Sequence, residues 1–322
     1  MTKDKKPFFS IIIPIYKTEE FLEECLESVK NQTFSDYECI VINDGSPGIP
    51  ISSKKSPLYK IDSSKQVKKI FDSVTKKDKR FKLYQKKNEG LSATKNFGIA
   101  KASGQRLVIL DSDDYLNKSY LHNAYSFIIK NNHNNIFYGN VKILEGKKVN
   151  SFASSQKFLP TKNSLKTILT FPTWTVTPVS YFWRLDIIQK HQITNRVGKK
   201  GEDTAFALDC LLAYDNEFGQ LNFNFISDSY YFYRQFPNQM SKHENWEIEL
   251  FNDTTEHMNS ILPQLKKVGL SYYILGQLFI LRFKTYRKKL LSKSVISRTI
   301  YGIFGKFLTL FSIAISGAKK MK

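Results

Sequence analysis

After Glu256 the chain contains no acidic residue. His257 to Lys322 holds thirteen Lys and Arg against no Asp or Glu, which leaves +7 of the net +20 for residues 1–256. Charge so concentrated is not a basic stripe running along the whole molecule, and no recognised nucleic-acid-binding motif accompanies it. Cysteine is also scarce. Cys25, Cys39 and Cys210 are an odd three, with no CxxC and no Cys/His cluster, which excludes a disulfide framework and a cysteine-rich zinc site. Long apolar runs are missing too. The uninterrupted stretch 307–318 falls short of the roughly 20 residues needed to span a bilayer. The N-terminal apolar run contains Pro14 and stops at Lys17, so it reads as a strand rather than a signal peptide. No long internal repeat is present. At 41% hydrophobic and 14% aromatic residues, a disordered chain is excluded and a sizeable core is possible.

Residues 8–15 form a β-branched apolar run, the pattern of a buried parallel strand. Phe21, Leu22, Cys25, Leu26 and Val29 then recur at helical spacing with acids on the other face. Residues 37–42 are a second strand ending at Asn43-Asp44-Gly45, which completes a βαβ unit. Residues 47–66 read as a surface loop. Helix is expected at 66–75, strand at 81–85, helix at 91–102 and strand at 106–110, the last running into Asp111-Ser112-Asp113-Asp114. Further strand is expected at 135–144 and 223–233, and helices at 165–171, 184–190, 203–214 and from 247 onward. Alternating β and α predicts a doubly wound α/β sheet, in which ligands bind beyond the carboxyl ends of the strands. Both polar clusters, Asn43-Asp44-Gly45 and Asp111-Ser112-Asp113-Asp114, sit at such ends.

Five ordered motifs carry a resemblance: Ser10-Ile11-Ile12-Ile13-Pro14-Ile15-Tyr16; Val41-Ile42-Asn43-Asp44-Gly45-Ser46; Asn88 through Ala100; Leu110-Asp111-Ser112-Asp113-Asp114; and Gly201-Glu202-Asp203 with Tyr233-Arg234 and Gln239-Met240-Ser241. Over about residues 8–245 the chain resembles the family 2 glycosyltransferases. The resemblance implies a GT-A type, Rossmann-like, mostly parallel mixed sheet flanked by helices in 1–245. Residues 246–322 are then a helical, basic and amphipathic extension. Lys95 stands where the family usually carries Arg, which keeps the charge and loses the planar fork. The QxxRW motif of processive relatives is missing, which favours one sugar transfer per encounter.

The resemblance also distributes roles. Pro14 and Tyr16 would line the base and ribose pocket, Asp44 would accept a hydrogen bond from the uracil N–H, and Lys95 would contact base or phosphates. Asp111 and Ser112 join this nucleotide-sugar-binding set. Asp113, helped by Asp111 on the same side of an extended chain, would hold Mn²⁺ or Mg²⁺, since such ions take few carboxylates plus substrate phosphate. Asp203 would be the base that deprotonates the acceptor, with Glu202 its substitute; N-capping of the following helix is the alternative role, and the two can coexist. His243 either approaches the metal or is an ordinary surface histidine. Trp174, Trp183 and Trp246 are sugar platforms or packing residues, Tyr16 a ligand or a packed aromatic, and Lys95 a ligand or a solvated lysine.

The expected activity is inverting transfer from a nucleotide-sugar, a UDP-sugar, to a hydroxyl of a lipid-linked oligosaccharide in surface polysaccharide synthesis. A polyprenyl phosphate and a wall polymer such as teichoic acid are the alternative acceptors. The basic tail is expected to hold the enzyme peripherally on an anionic membrane at its cytoplasmic face, and no nucleic-acid partner is expected.

Overall fold

The computed structural model describes residues 6–47, 65–131, 136–146, 148–151, 169, 178–219, 223–236, 246–291 and 294–316. Residues 48–64 of the expected loop at 47–66, the helix at 165–171 save residue 169, Trp174, Gln239-Met240-Ser241 and His243 lie outside them. The chain divides into two compact units. The first comprises Met1–Phe152, Val179–Val197 and Asn224–Gln235, and the second Ala153–Pro178, Gly198–Phe223 and Phe236–Lys322.

In the first unit β1 (Phe9–Ile15), α1 (Glu19–Lys30), β2 (Tyr37–Asp44), α2 (Gln66–Thr75), β3 (Phe81–Lys86), α3 (Leu91–Lys101) and β4 (Arg106–Ile109) alternate as expected. After them come β5 (Tyr115–Leu116), α4 (Tyr120–Ile128), β6 (Ile136–Glu145), β7 (Lys148–Ser151), β8 (Trp183–Arg184) and α5 (Leu185–Lys190). Among the described residues one sheet has the order β3-β2-β1-β4-β8, parallel except for β8. Its inner strands are buried on both faces, which is why β1 and β2 read as unbroken apolar runs.

Phe9, Ile11, Ile13 and Ile15 face a core shared with Leu22, Cys25, Leu26 and Val29 of α1 and with Val67 and Ile70 of α2. Each large apolar side chain fully buried there contributes roughly 1.5–3 kcal/mol. On the other face α3 lies close against β1, because Gly98 has no side chain. A Cβ at that position would sit 2.5 Å from Ile12 Cγ2. Helices on both faces give the doubly wound architecture.

A second sheet, β5-β9-β6-β7, uses β9 (Phe223–Gln235), a strand more than 100 residues beyond β5 in sequence. Tyr115 and Leu116 pair antiparallel with Phe232 and Tyr231. Trp183 is a packing residue, buried and stacked on Tyr181 at 4.2 Å. The three cysteines are free and buried.

The second unit contains α6 (Glu202–Phe218), α7 (Trp246–Val268), α8 (Leu270–Leu291) and α9 (Val295–Ser316). Gly201, at φ +65°, brings the start of α6 against Leu250 and Thr254 of α7. Asp253 accepts the Lys200 amide at 2.7 Å, and Lys199 pairs with Glu256 at 2.7 Å. No described helix is long and apolar enough to cross a membrane.

Candidate active site

The acids after β4 do not continue an extended strand. β4 ends at Ile109, and the Asp114 amide donates to the Asp111 carbonyl at 3.0 Å, so residues 111–114 close a turn. The expectation that Asp111 and Asp113 share one side by strand alternation is therefore corrected; a turn, not a pleat, presents them.

Ser112 bolts that turn in place. Its buried hydroxyl donates to the Pro14 carbonyl at 2.7 Å and, having one proton, accepts from Thr18 Oγ1 at 2.6 Å. Ser112 and the Pro14 carbonyl thus hold the first and fourth motifs together. Tyr16, just beyond β1, is 43% exposed, with the Lys17 ammonium 5.1 Å from its ring centroid. Of its two readings, the packed one is corrected: the ring is exposed, with Lys17 over it.

Asp44 caps the end of β2. Its Oδ1 accepts from Lys86 Nζ at 2.7 Å and the Glu89 amide at 3.0 Å, and its Oδ2 from the Gly90 amide at 2.9 Å. Burial opposes its charge, but Lys86, those amides and the Thr94 hydroxyl outweigh burial and hold the carboxyl below the usual range. The Asx turn here belongs to Asn43, whose Oδ1 accepts the Ser46 amide at 2.9 Å. Gly45, at φ +64°, permits it; a Cβ there would meet the Asn88 amide at 2.8 Å.

Lys95 is not a solvated lysine. It is 4% exposed, and its Nζ lies 4.0 Å from Asp111 Oδ1. Since the N-cap of α3, Gly90, donates its amide to Asp44, the first turns of α3 connect the second motif to the fourth. Asn96, in the same helix, exchanges hydrogen bonds with Asn195: its Nδ2 donates to the Asn195 carbonyl at 2.8 Å, and its Oδ1 accepts the Asn195 amide at 2.7 Å.

Two groups unassigned from sequence complete the cluster. Tyr231 is fully buried; its hydroxyl donates to Asp114 Oδ2 at 2.6 Å and accepts the Asp111 amide at 3.2 Å. The Arg234 amide donates to Asp114 Oδ1 at 2.7 Å, its Nε to the Asp113 carbonyl at 2.8 Å, and its Nη2 to Glu24 at 2.5 Å. The guanidinium also lies over the Phe21 ring, 4.7 Å from its centroid. The pairing of Tyr233-Arg234 with the other motifs was the available signal, but nothing in it pointed to Tyr231.

Three carboxyls in four positions repel one another. Burial first, and then the charge of Asp111, push the Asp113 carboxyl up to about 7. Asp114 is raised by burial and by Asp113 and Asp111, against the pull of the Arg234 amide and the Tyr231 hydroxyl. Asp111 Oδ1 is buried without a hydrogen-bond partner. Such a cluster is poised to accept a proton or a cation. No group of three or more metal-ligating side chains occurs among the described residues. The two-carboxylate donor set suits a hard cation that takes its remaining ligands from phosphate and water.

In the second unit, Glu202 and Asp203 form the first turn of α6. The N-cap is Gly201, with no side-chain capping bond, so the N-capping role expected as the alternative for Asp203 is corrected. Asp203 Oδ1 instead accepts the Thr204 amide at 2.6 Å.

The structure of S. aureus TarS 1–349 in complex with UDP-GlcNAc superposes with a TM-score of 0.64 at 19% identity, covering 95% of this chain and 81% of that one. The shared architecture defines the fold as the GT-A type. The family described as Glycosyl transferase family 2 matches residues 10–49 and 61–189, and the chain belongs to it. It is similar to the putative glycosyltransferase EpsH of Bacillus subtilis, 35% identical over 114 residues, 35% of this chain and 28% of that protein. It is also similar to the poly(ribitol-phosphate) beta-glucosyltransferase of Bacillus spizizenii, 28% identical over 206 residues, 63% of this chain and 29% of that protein. The match therefore spans under a third of the length of these two curated relatives.

Proposed function

We propose that the protein transfers one sugar, with inversion and without processivity, from a UDP-sugar to a hydroxyl of a lipid-linked oligosaccharide. The observation that carries this reading is the partly buried turn at 111–114, whose Asp111 Oδ1, without a hydrogen bond, lies 4.0 Å from the Lys95 ammonium. Tyr16 and Asp44 would receive the nucleoside at the ends of β1 and β2. Lys95 would lie along the diphosphate, its Nζ 4.0 Å from Asp111 Oδ1. Ser112 acts by fixing the turn rather than by touching the donor, since its hydroxyl is already committed on both sides. Asp113, with Asp111, would hold Mn²⁺ or Mg²⁺, which when bound supplies charge neutralisation to the departing diphosphate. His243 would be a further ligand of that ion.

Asp203, or Glu202 in its place, would take the proton of the acceptor hydroxyl as that oxygen attacks the anomeric carbon and the bond to the diphosphate breaks. Residues 1–245 are read as the catalytic part and 246–322 as the part that meets the membrane, peripherally, at the cytoplasmic face. Similarity over 206 residues to a poly(ribitol-phosphate) glucosyltransferase favours a second reading, in which the acceptor is a wall polymer such as teichoic acid.

The test is a screen of UDP-sugars with Mn²⁺ or Mg²⁺, with acceptor extracts as both organic-soluble lipid and water-soluble polymer. UDP release and a lipid product are expected. No UDP release from any donor overturns the transferase reading, and a water-soluble product moves it to the wall polymer. Asp113→Asn and Asp203→Asn should each lose turnover while staying folded; unchanged turnover in both would refute the residue roles.

A further inference from the structure

Helix α9 leaves a row of large apolar side chains outside the protein. Ile300, Ile303, Phe304, Phe307 and Phe311 are all exposed, Ile303 by 64% and Phe307 by 60%. At helical spacing they fall within an arc of about 100°. The inner side of the helix is already used. Leu308 and Ser312 are buried, and Gly305 lies close to the Tyr286 ring of α8. Phe307 and Phe311 stack on each other, 6.4 Å between centroids, without covering the row.

The neighbouring helix has a mixed exposed side. Leu281, Lys284, Lys288 and Leu291 recur at three- and four-residue steps and are exposed, as is Arg287. No carboxylate stands anywhere from His257 onward to neutralise these cations. A second copy of the chain set against the same face would bring like charges together. A sheet of anionic headgroups over acyl chains matches both features, since it takes the cations at its surface and the apolar row below.

We infer that α9 lies in the plane of one leaflet of an anionic bilayer. Its Ile300–Phe311 row is buried at the acyl boundary, with Lys284, Arg287, Lys288 and Lys306 among the headgroups. The inference gives a surface to the membrane-peripheral part of the proposed function and rests on that part alone, not on the sugar chemistry.

The experiment is flotation of the full chain, without donor or acceptor, on phosphatidylcholine vesicles and on mixed phosphatidylcholine–phosphatidylglycerol vesicles. The protein should float with the mixed vesicles only. The exposed pair Phe307→Glu/Phe311→Glu should lower its partition by roughly tenfold or more. Lys284→Glu/Arg287→Glu/Lys288→Glu should lower it in the same direction and abolish its salt sensitivity. Melting curves and circular dichroism of both variants should match the parent. Failure of the parent to float, equal flotation on neutral vesicles, or variants that float like the parent would overturn the inference. So would a dimer in sedimentation that Phe307→Glu/Phe311→Glu disperses, which would assign the face to a second copy. Because no sugar is present, none of these outcomes bears on the transferase reading, and a failed donor screen leaves them untouched.

Discussion

Replacing Tyr231 by Phe removes one oxygen and almost no volume. The ring stays packed in the core, so no cavity term enters. What is lost is a hydroxyl that serves two buried partners, Asp114 Oδ2 at 2.6 Å and the Asp111 amide at 3.2 Å. Each partner left unsatisfied costs about 1–3 kcal/mol, and the geometry of the longer bond puts its share at the low end, for a total of about 2–4 kcal/mol. In a unit of this size that lowers the melting temperature by roughly 5–15 °C. Since the chain has two compact units, the assay must follow the first one, by calorimetry or by exchange of amides in β1, β2 and β4. The Tyr231→Phe/Asp114→Asn double variant should be less destabilised than the sum of the singles, by about 0.5–3 kcal/mol, because the two changes remove the same bond. Transfer activity should fall together with stability, since the hydroxyl anchors the amide of Asp111. A melting temperature within about 2 °C of the parent, or strict additivity in the cycle, would refute the role given to this hydroxyl.

The Asp113 carboxyl, at about 7 in the fold, should make the ligand-free protein lose stability as pH rises from its unfolded value near 4 through about 7. Mn²⁺ must displace that proton, so its stabilising shift in melting temperature should be larger at high pH than at low; a pH-independent shift would count against Asp113 as ligand. Glu38 behaves oppositely. Burial opposes its charge, but hydrogen bonds from Ser103, Ser10 and Lys82 win, so its carboxyl sits below the usual range. Its contribution is present above its unfolded value and is lost as pH falls through the lower folded one, and Glu38→Gln should flatten the acid side of the melting profile. Gly98→Ala should cost about 1–3 kcal/mol by forcing α3 off β1, read from denaturant midpoints. Asn96→Ala should cost a comparable amount, about 1–3 kcal/mol, by orphaning the Asn195 amide and carbonyl, and should speed amide exchange at Asn195.

The first sheet was legible because buried parallel strands leave unbroken apolar runs, and because α1 shows a clean stripe at Leu22, Cys25, Leu26 and Val29. The strand-end acids were legible for the same reason, once the strands were placed. The second sheet was not. Its β5 is two residues long, and its partner lies over a hundred residues away, so no local pattern announces the pairing. Tyr231 sits in the run Tyr230-Tyr231-Phe232-Tyr233, where nothing marks one tyrosine as the anchor of Asp114. Lys95 stayed open between ligand and solvated lysine because its burial depends on how α3 packs on the sheet, not on the sequence of its own helix. The turn at 111–114 was misread as extended chain because the bond closing it, from the Asp114 amide to the Asp111 carbonyl, is a backbone feature with no side-chain signature.

The order β2-β1-β4 sets a fixed gauge. Asp44 hangs from one of these strands and Asp111 follows another, with β1 between them. Two inter-strand steps, about 10 Å, therefore separate the two ends. Backbone ladders, which side-chain substitutions do not stretch, keep that interval. Drift in the surrounding loops leaves the spacing between Asp44 and Asp111 unaltered, because the sheet itself sets it.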